Sequence, residues 1–105
     1  MVDEVECFRL CFRRNWHNGI VGWGLKPNGS SFDVVGRNAL NDELKLAKFV
    51  NNVVTNNHNW HGYPADYRNN PQDRPMTWIL LLWRNNNIIT KTHMRRIKKG
   101  QECRL

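Results

Sequence analysis

The chain has 105 residues, of which 16 are Lys or Arg and 9 are Asp or Glu, giving a formal net charge of +7. With 40% hydrophobic residues, five Trp and four Phe it can fill a core, so a wholly disordered chain is excluded. The length suits a single domain over residues 1–105. The longest apolar run, Trp78-Ile79-Leu80-Leu81-Leu82-Trp83, falls well short of the ~18–20 residues of a membrane span. The first residues, Met1-Val2-Asp3-Glu4-Val5-Glu6, are acidic where a secretory leader is basic, so a cytoplasmic protein with no membrane partner is expected.

In chain order, Val5–Arg13 alternates as a strand, with Phe8, Leu10 and Phe12 on one face and Cys7, Arg9, Cys11 and Arg13 on the other. Ile20–Lys26 reads as a second strand and Ser31–Val35 as a third, separated by the turn signal Pro27-Asn28-Gly29-Ser30. Residues 1–36 thus predict an antiparallel meander with one face needing cover. A helix over 38–56 supplies it, capped by Asn38 or Asn41, with Leu40, Leu44, Leu46, Ala47, Phe49, Val50, Val53 and Val54 as its apolar stripe. Residues 57–75 predict an irregular loop, because Pro64, Pro71 and Pro75 block a continuous helix.

Residues 76–100 predict a pair of short helices. Asp73 caps the first and Asn85-Asn86-Asn87 breaks it; Thr90 caps the second, which runs to about Lys99, with Gly100 as its left-handed terminator. The predicted fold class is therefore α+β: an N-terminal three-stranded antiparallel β-meander packed by one long helix, an aromatic loop, and a C-terminal helix pair. The 15 Asn cluster at turns and helix ends, where Asn tolerates positive φ.

Three cysteines, Cys7, Cys11 and Cys103, cannot all pair within one chain, and without an export signal reduced thiols are expected. In a strand, Cys7 and Cys11 stand about 13 Å apart, too far to share a zinc ion. His58 and His61 form H-x2-H, with His93 and Cys103 further on, and these spacings match no zinc module. No metal and no cofactor is expected, and buried, inert cysteines are.

The charge is concentrated. Residues 84–105 hold Arg84, Lys91, Arg95, Arg96, Lys98, Lys99 and Arg104 against Glu102 alone. Such density attracts polyanions, nucleic acid being the usual partner. The helix pair resembles a helix-turn-helix in layout alone: with Asn87 in the turn, His93 and Arg96 fall where that motif has core residues.

The predicted loop adds stacking surfaces (Trp60, Tyr63, Tyr67), cations (Arg68, Arg74) and titratable groups (His58, His61, Asp66), a mixture suited to unpaired bases. The expected function is non-enzymatic nucleic-acid binding, DNA or RNA, through Lys91, Arg95, Arg96, Lys98, Lys99, Trp60, Tyr63, Tyr67, Arg68 and Arg74. One alternative is a metal-independent, toxin-like endoribonuclease with His58 or His61 as base, Arg68 or Arg74 on the phosphorane charge and Tyr63 assisting proton transfer. Another is an interaction module that docks its basic tail on an acidic protein. A sheet with open edges also leaves room for a homodimer.

Overall fold

The computed structural model describes residues 4–29, 31–52 and 59–105. In chain order it has α1 (Glu4–Arg13), β1 (Val21–Gly24), β2 (Pro27–Asn28), β3 (Ser31–Phe32), β4 (Gly36–Arg37), β5 (Glu43–Leu44), β6 (Leu46–Asn52), β7 (Asn59–Ala65), a 3-10 turn (Pro71–Asp73), α2 (Thr77–Asn85) and α3 (Lys91–Lys99). The chain divides into two units, Met1–Ala65 and Asp66–Leu105. The class is α+β, with a three-stranded antiparallel sheet in the order β1-β6-β7 and two C-terminal helices. Of the three predicted strands, Ile20–Lys26 holds β1 and Ser31–Val35 holds β3, but only β1 joins the three-stranded sheet; its other two strands and the covering helix come from segments with other predicted structure.

Residues 5–13 form a helix and not a strand. Cys7 and Cys11 are both fully buried one helical turn apart, and the rings of Phe8 and Phe12, also four apart, lie 4.5 Å from each other. Spacing of four fits a helical face as well as a strand's alternation, and here packing chooses the helix. The two thiols therefore share one face instead of standing apart along a strand.

The segment 38–56 is not a helix either. Asn38 Oδ1 accepts the backbone N–H groups of Leu40 and Asp42, and Asn41 takes φ 65°, so the two presumed caps build the β4–β5 hairpin loop. The apolar stripe belongs instead to β6, the central strand. Leu46, Ala47, Lys48, Phe49 and Asn51 are all buried along it, because both of its faces are largely covered. Val53 and Val54 lie outside the described residues.

Residues 59–65 are likewise a strand, where a loop is predicted. Burial alternates along β7, with Trp60, Gly62 and Pro64 half-buried between exposed His61 and Tyr63. In the ladder, Asn51 donates its N–H to Ile20 O while Trp23 donates to Trp16 O. Through the registers Gly22↔Phe49 and Phe49↔Gly62, that alternation turns the nitrogen of Pro64 to the outer edge, where no bond to β6 is lost. The opposite edge, along β1, is paired through the His17↔Gly22 bridge with Trp16–Asn18.

α1 lies on the sheet face that carries Gly22, Gly24, Phe49 and Trp60. A Cβ on Gly24 would stand 2.7 Å from the Cys7 carbonyl oxygen, so this glycine permits the close approach. Phe8 meets Phe49 at 5.3 Å and Trp60 at 5.7 Å, and Phe12 meets Trp60 edge-on at 5.0 Å.

Burial pushes the Cys11 thiol up to about 12 from an ordinary 9.0, outweighing the backbone hydrogen bond from Trp23, and its Sγ donates to Trp16 O. The folded state holds this proton more tightly than the unfolded chain. The associated stability is thus present below pH 9.0 and lost as pH rises toward about 12. Urea denaturation from neutral to alkaline pH is expected to show a fall of up to about 1.4 kcal/mol per pH unit from this group. Cys11→Ala should flatten that part of the slope; an unchanged slope would remove the cause.

Candidate nucleic-acid interface

The second unit, Asp66–Leu105, carries nine Lys or Arg against three acids, and two of those acids, Asp66 and Asp73, are buried. Asp73 is not the cap of α2, whose N-cap is Met76. Its carboxylate accepts the backbone N–H of Asp66 at 3.1 Å instead, while Asn69 donates to the Asp66 carboxylate at 2.9 Å. The two acids tie down the connection, which leaves Glu102 as the exposed acid of a cationic surface.

Tyr67 and Arg74 serve the same framework. The Tyr67 hydroxyl donates to Gln101 O at 2.9 Å and lies 3.4 Å from Cys103 Sγ. Desolvation chiefly, with Cys103 beside it, pushes this hydroxyl well above its ordinary value. Arg74 Nε donates to Tyr67 O at 2.9 Å, and its guanidinium packs against Gly100. Gly100 ends α3 with φ 68°, as predicted. Gly100→Ala, which adds left-handed strain and a Cβ in the guanidinium's place, is expected to cost ~1–2 kcal/mol in urea denaturation. A neutral result would show that Arg74 yields freely.

α3 is built as the sequence predicts. Thr90 Oγ1 accepts the N–H of His93, and His93 Nδ1 accepts the N–H of Thr90 in return, a reciprocal cap in which histidine takes the place usual for Glu or Gln. Ile97 is buried and His93 and Met94 are half-buried. On the opposite side Lys91, Arg95, Lys98 and Lys99 recur at i, i+4, i+7 and i+8, all exposed, as one outward stripe.

Within the helix this stripe is favoured at one end, where Lys98 and Lys99 suit the negative end of the dipole, and opposed elsewhere. Lys91 opposes the positive N-terminal end of the helix dipole. Lys91 with Arg95, and Arg95 with Lys99, are like charges four apart, each pair costing ~0.2–0.5 kcal/mol.

Arg96 stands apart from the stripe. Its Nη1 donates to Glu102 O at 3.1 Å, and with Thr92, His93, Glu102, Cys103 and Arg104 it lines a cleft of about 400 Å³. Sequence reasoning misses this cleft, although Arg96 lies about 100° around the helix from Ile97, on the side away from Lys98. The signal available was the T-x-x-H spacing, which fixes the His93 ring.

Of the remaining candidates, strand alternation sets Trp60 and Tyr63 on opposite faces of β7. Trp60 lies among Phe8, Phe12 and His17. Tyr63 shares the other face with His61 and with Lys48, whose Nζ stands 5.9 Å from the Tyr63 ring and 5.6 Å from Trp23. Arg68 is exposed in the second unit, and His58 lies outside the described residues. Among the described residues no three His, Cys, Asp or Glu side chains form a group that could hold a metal ion, and no helix is long and apolar enough to cross a membrane. A scan against protein-family models and searches of curated proteins and of solved structures give no match.

Proposed function

We propose that this chain binds nucleic acid without transforming it, holding consecutive phosphates on the outward stripe Lys91, Arg95, Lys98 and Lys99 of α3. What supports the reading is the placement of four exposed bases on one helical face, with like charges four apart, while two of the unit's three acids are buried. A merely solubilising surface has no need to set like charges four apart. From Lys91 to Lys99 the helix rises about 12 Å, and the four exposed bases along it have side chains long enough to spread to separate phosphates. With one phosphate per base, the stripe makes four contacts at full engagement.

The test is fluorescence anisotropy against labelled duplex DNA and single-stranded RNA over a range of salt, with the strands recovered and sized afterwards. Four released counterions give a slope of log K against log salt of about −3.6 for duplex and −2.8 for single strands. Intact strands and such a slope are the expected result. Affinity independent of salt, or none at moderate salt, would overturn the reading and favour an acidic protein partner. Cut RNA would overturn the non-catalytic part of it and turn attention to His61 and Tyr63.

A further inference from the structure

We propose that the cleft between α3 and residues 102–104 is a site for one dianionic phosphate monoester group. The inference goes beyond the stripe on the outer face of α3 and stands without it, because the residues are different ones.

The cleft, about 400 Å³, is of the size that takes a small ligand. Its lining offers two guanidinium groups, Arg96 and Arg104, together with the Thr92 hydroxyl and the His93 ring. Guanidinium forks match phosphate oxygens in pairs, and two of them balance a double negative charge. His93 Nδ1 accepts the backbone N–H of Thr90, so the neutral ring carries its proton on Nε2 and presents a donor there. A monoester exposes three oxygens to such donors where a diester in a chain exposes two, so the donor set favours the terminal group.

The wall opposite α3 is held in place before any ligand arrives. Arg96 Nη1 donates to the Glu102 carbonyl, which uses one of the five guanidinium N–H groups and orients the rest. On either side of Glu102, the Tyr67 hydroxyl holds Gln101 through its carbonyl and Cys103 through its Sγ. Donors fixed in this way lose little freedom when they bind. The Glu102 side chain, exposed at the cleft, is the one anionic group in the lining and opposes the ligand. Its removal is therefore expected to strengthen binding.

The experiment is an NMR titration of the full chain with inorganic phosphate at constant ionic strength, following the His93 ring and the amides of Thr92, Cys103 and Arg104. Saturable shifts confined to this cluster are expected, with affinity falling about ten-fold or more in Arg104→Gln and rising several-fold in Glu102→Gln. Arg104 is exposed and lies outside every helix and strand, so its variant keeps the fold. A second arm compares strands of one sequence carrying a 5′-phosphate or a 5′-hydroxyl. A preference for the phosphate assigns the site to strand ends; equal affinity beside a saturable phosphate response assigns it to a free phosphomonoester. Shifts that do not saturate, that scatter over the surface, or that ignore Arg104→Gln would overturn the site. If strand binding then kept its steep salt dependence, the stripe would survive without the cleft.

Discussion

Replacing Lys91, Arg95, Lys98 and Lys99 together by Gln is expected to weaken nucleic-acid binding about a thousand-fold at ~0.15 M salt. The figure follows from counterion release: four phosphate contacts contribute roughly 0.9 each to the salt exponent, which amounts to about three decades at that concentration. The slope itself should collapse toward zero. Loss of fold is not an alternative explanation, because the relief of the like-charge pairs and of Lys91 at the helix start offsets the loss of Lys98 and Lys99 at its C-terminal end, and all four side chains are exposed. The variant should melt within a few degrees of the parent by circular dichroism. Ile97, which is buried on the other face, and the Thr90–His93 cap are untouched. Unchanged affinity and slope in a folded variant would remove α3 from the interface. The single substitution Arg96→Gln should by contrast lower the slope by at most one contact, since Arg96 faces the cleft.

Phe49→Ala is expected to be the most damaging truncation in the first unit, costing ~3–5 kcal/mol in urea denaturation. Phe49 is 1% exposed on the central strand, and its partners across the ladder on both sides, Gly22 and Gly62, bring no side chain to the row. The ring and Phe8 of α1 therefore fill that space between them, at 5.3 Å between ring centres. With glycines alongside, nothing can swing into the hole, which places the cost toward the upper part of the range. Phe49→Leu, which keeps most of the volume, should cost about 1–2 kcal/mol. A loss below about 1 kcal/mol for the alanine variant would mean that α1 settles onto the sheet without it.

The second half of this fold is legible in the sequence because its signals are local. Thr90, Gly100 and the Asn85–Asn87 break act through bonds to backbone a few residues away, and they do in the structure what their chemistry predicts. The first half is decided by long-range pairing, which short windows do not contain. Cys7, Phe8, Cys11 and Phe12 satisfy two periodicities at once, and Gly24, far along the chain, makes room for the helical one. The apolar residues Leu46, Ala47, Phe49 and Val50 read as part of a wide helical stripe until β1 and β7 lie on either side of them. In β7 a proline, a glycine and a histidine disguise a strand, because only at an edge is a missing amide harmless.

The candidate site divides in the same way. The stripe on α3 follows from helical geometry, so its residues are readable from spacing. The expected aromatic platform is dispersed by strand alternation at Trp60 and Tyr63 and by the use of Tyr67 and Arg74 as internal ties. The cleft depends on where residues 102–104 return, which nothing in their sequence announces.

The edges of the sheet bear on how this protein behaves in company. A strand from another molecule adds to a sheet by finding a continuous row of amides and carbonyls, and growth of that kind is the route to fibrils. Here an incoming strand meets a pyrrolidine ring at Pro64 on one side and the chain's own Trp16–Asn18 on the other. Both approaches are spoiled by the protein's own backbone. A cationic chain that gathers on a polyanion is brought close to its own copies, and blunted edges let it be concentrated there without zipping together.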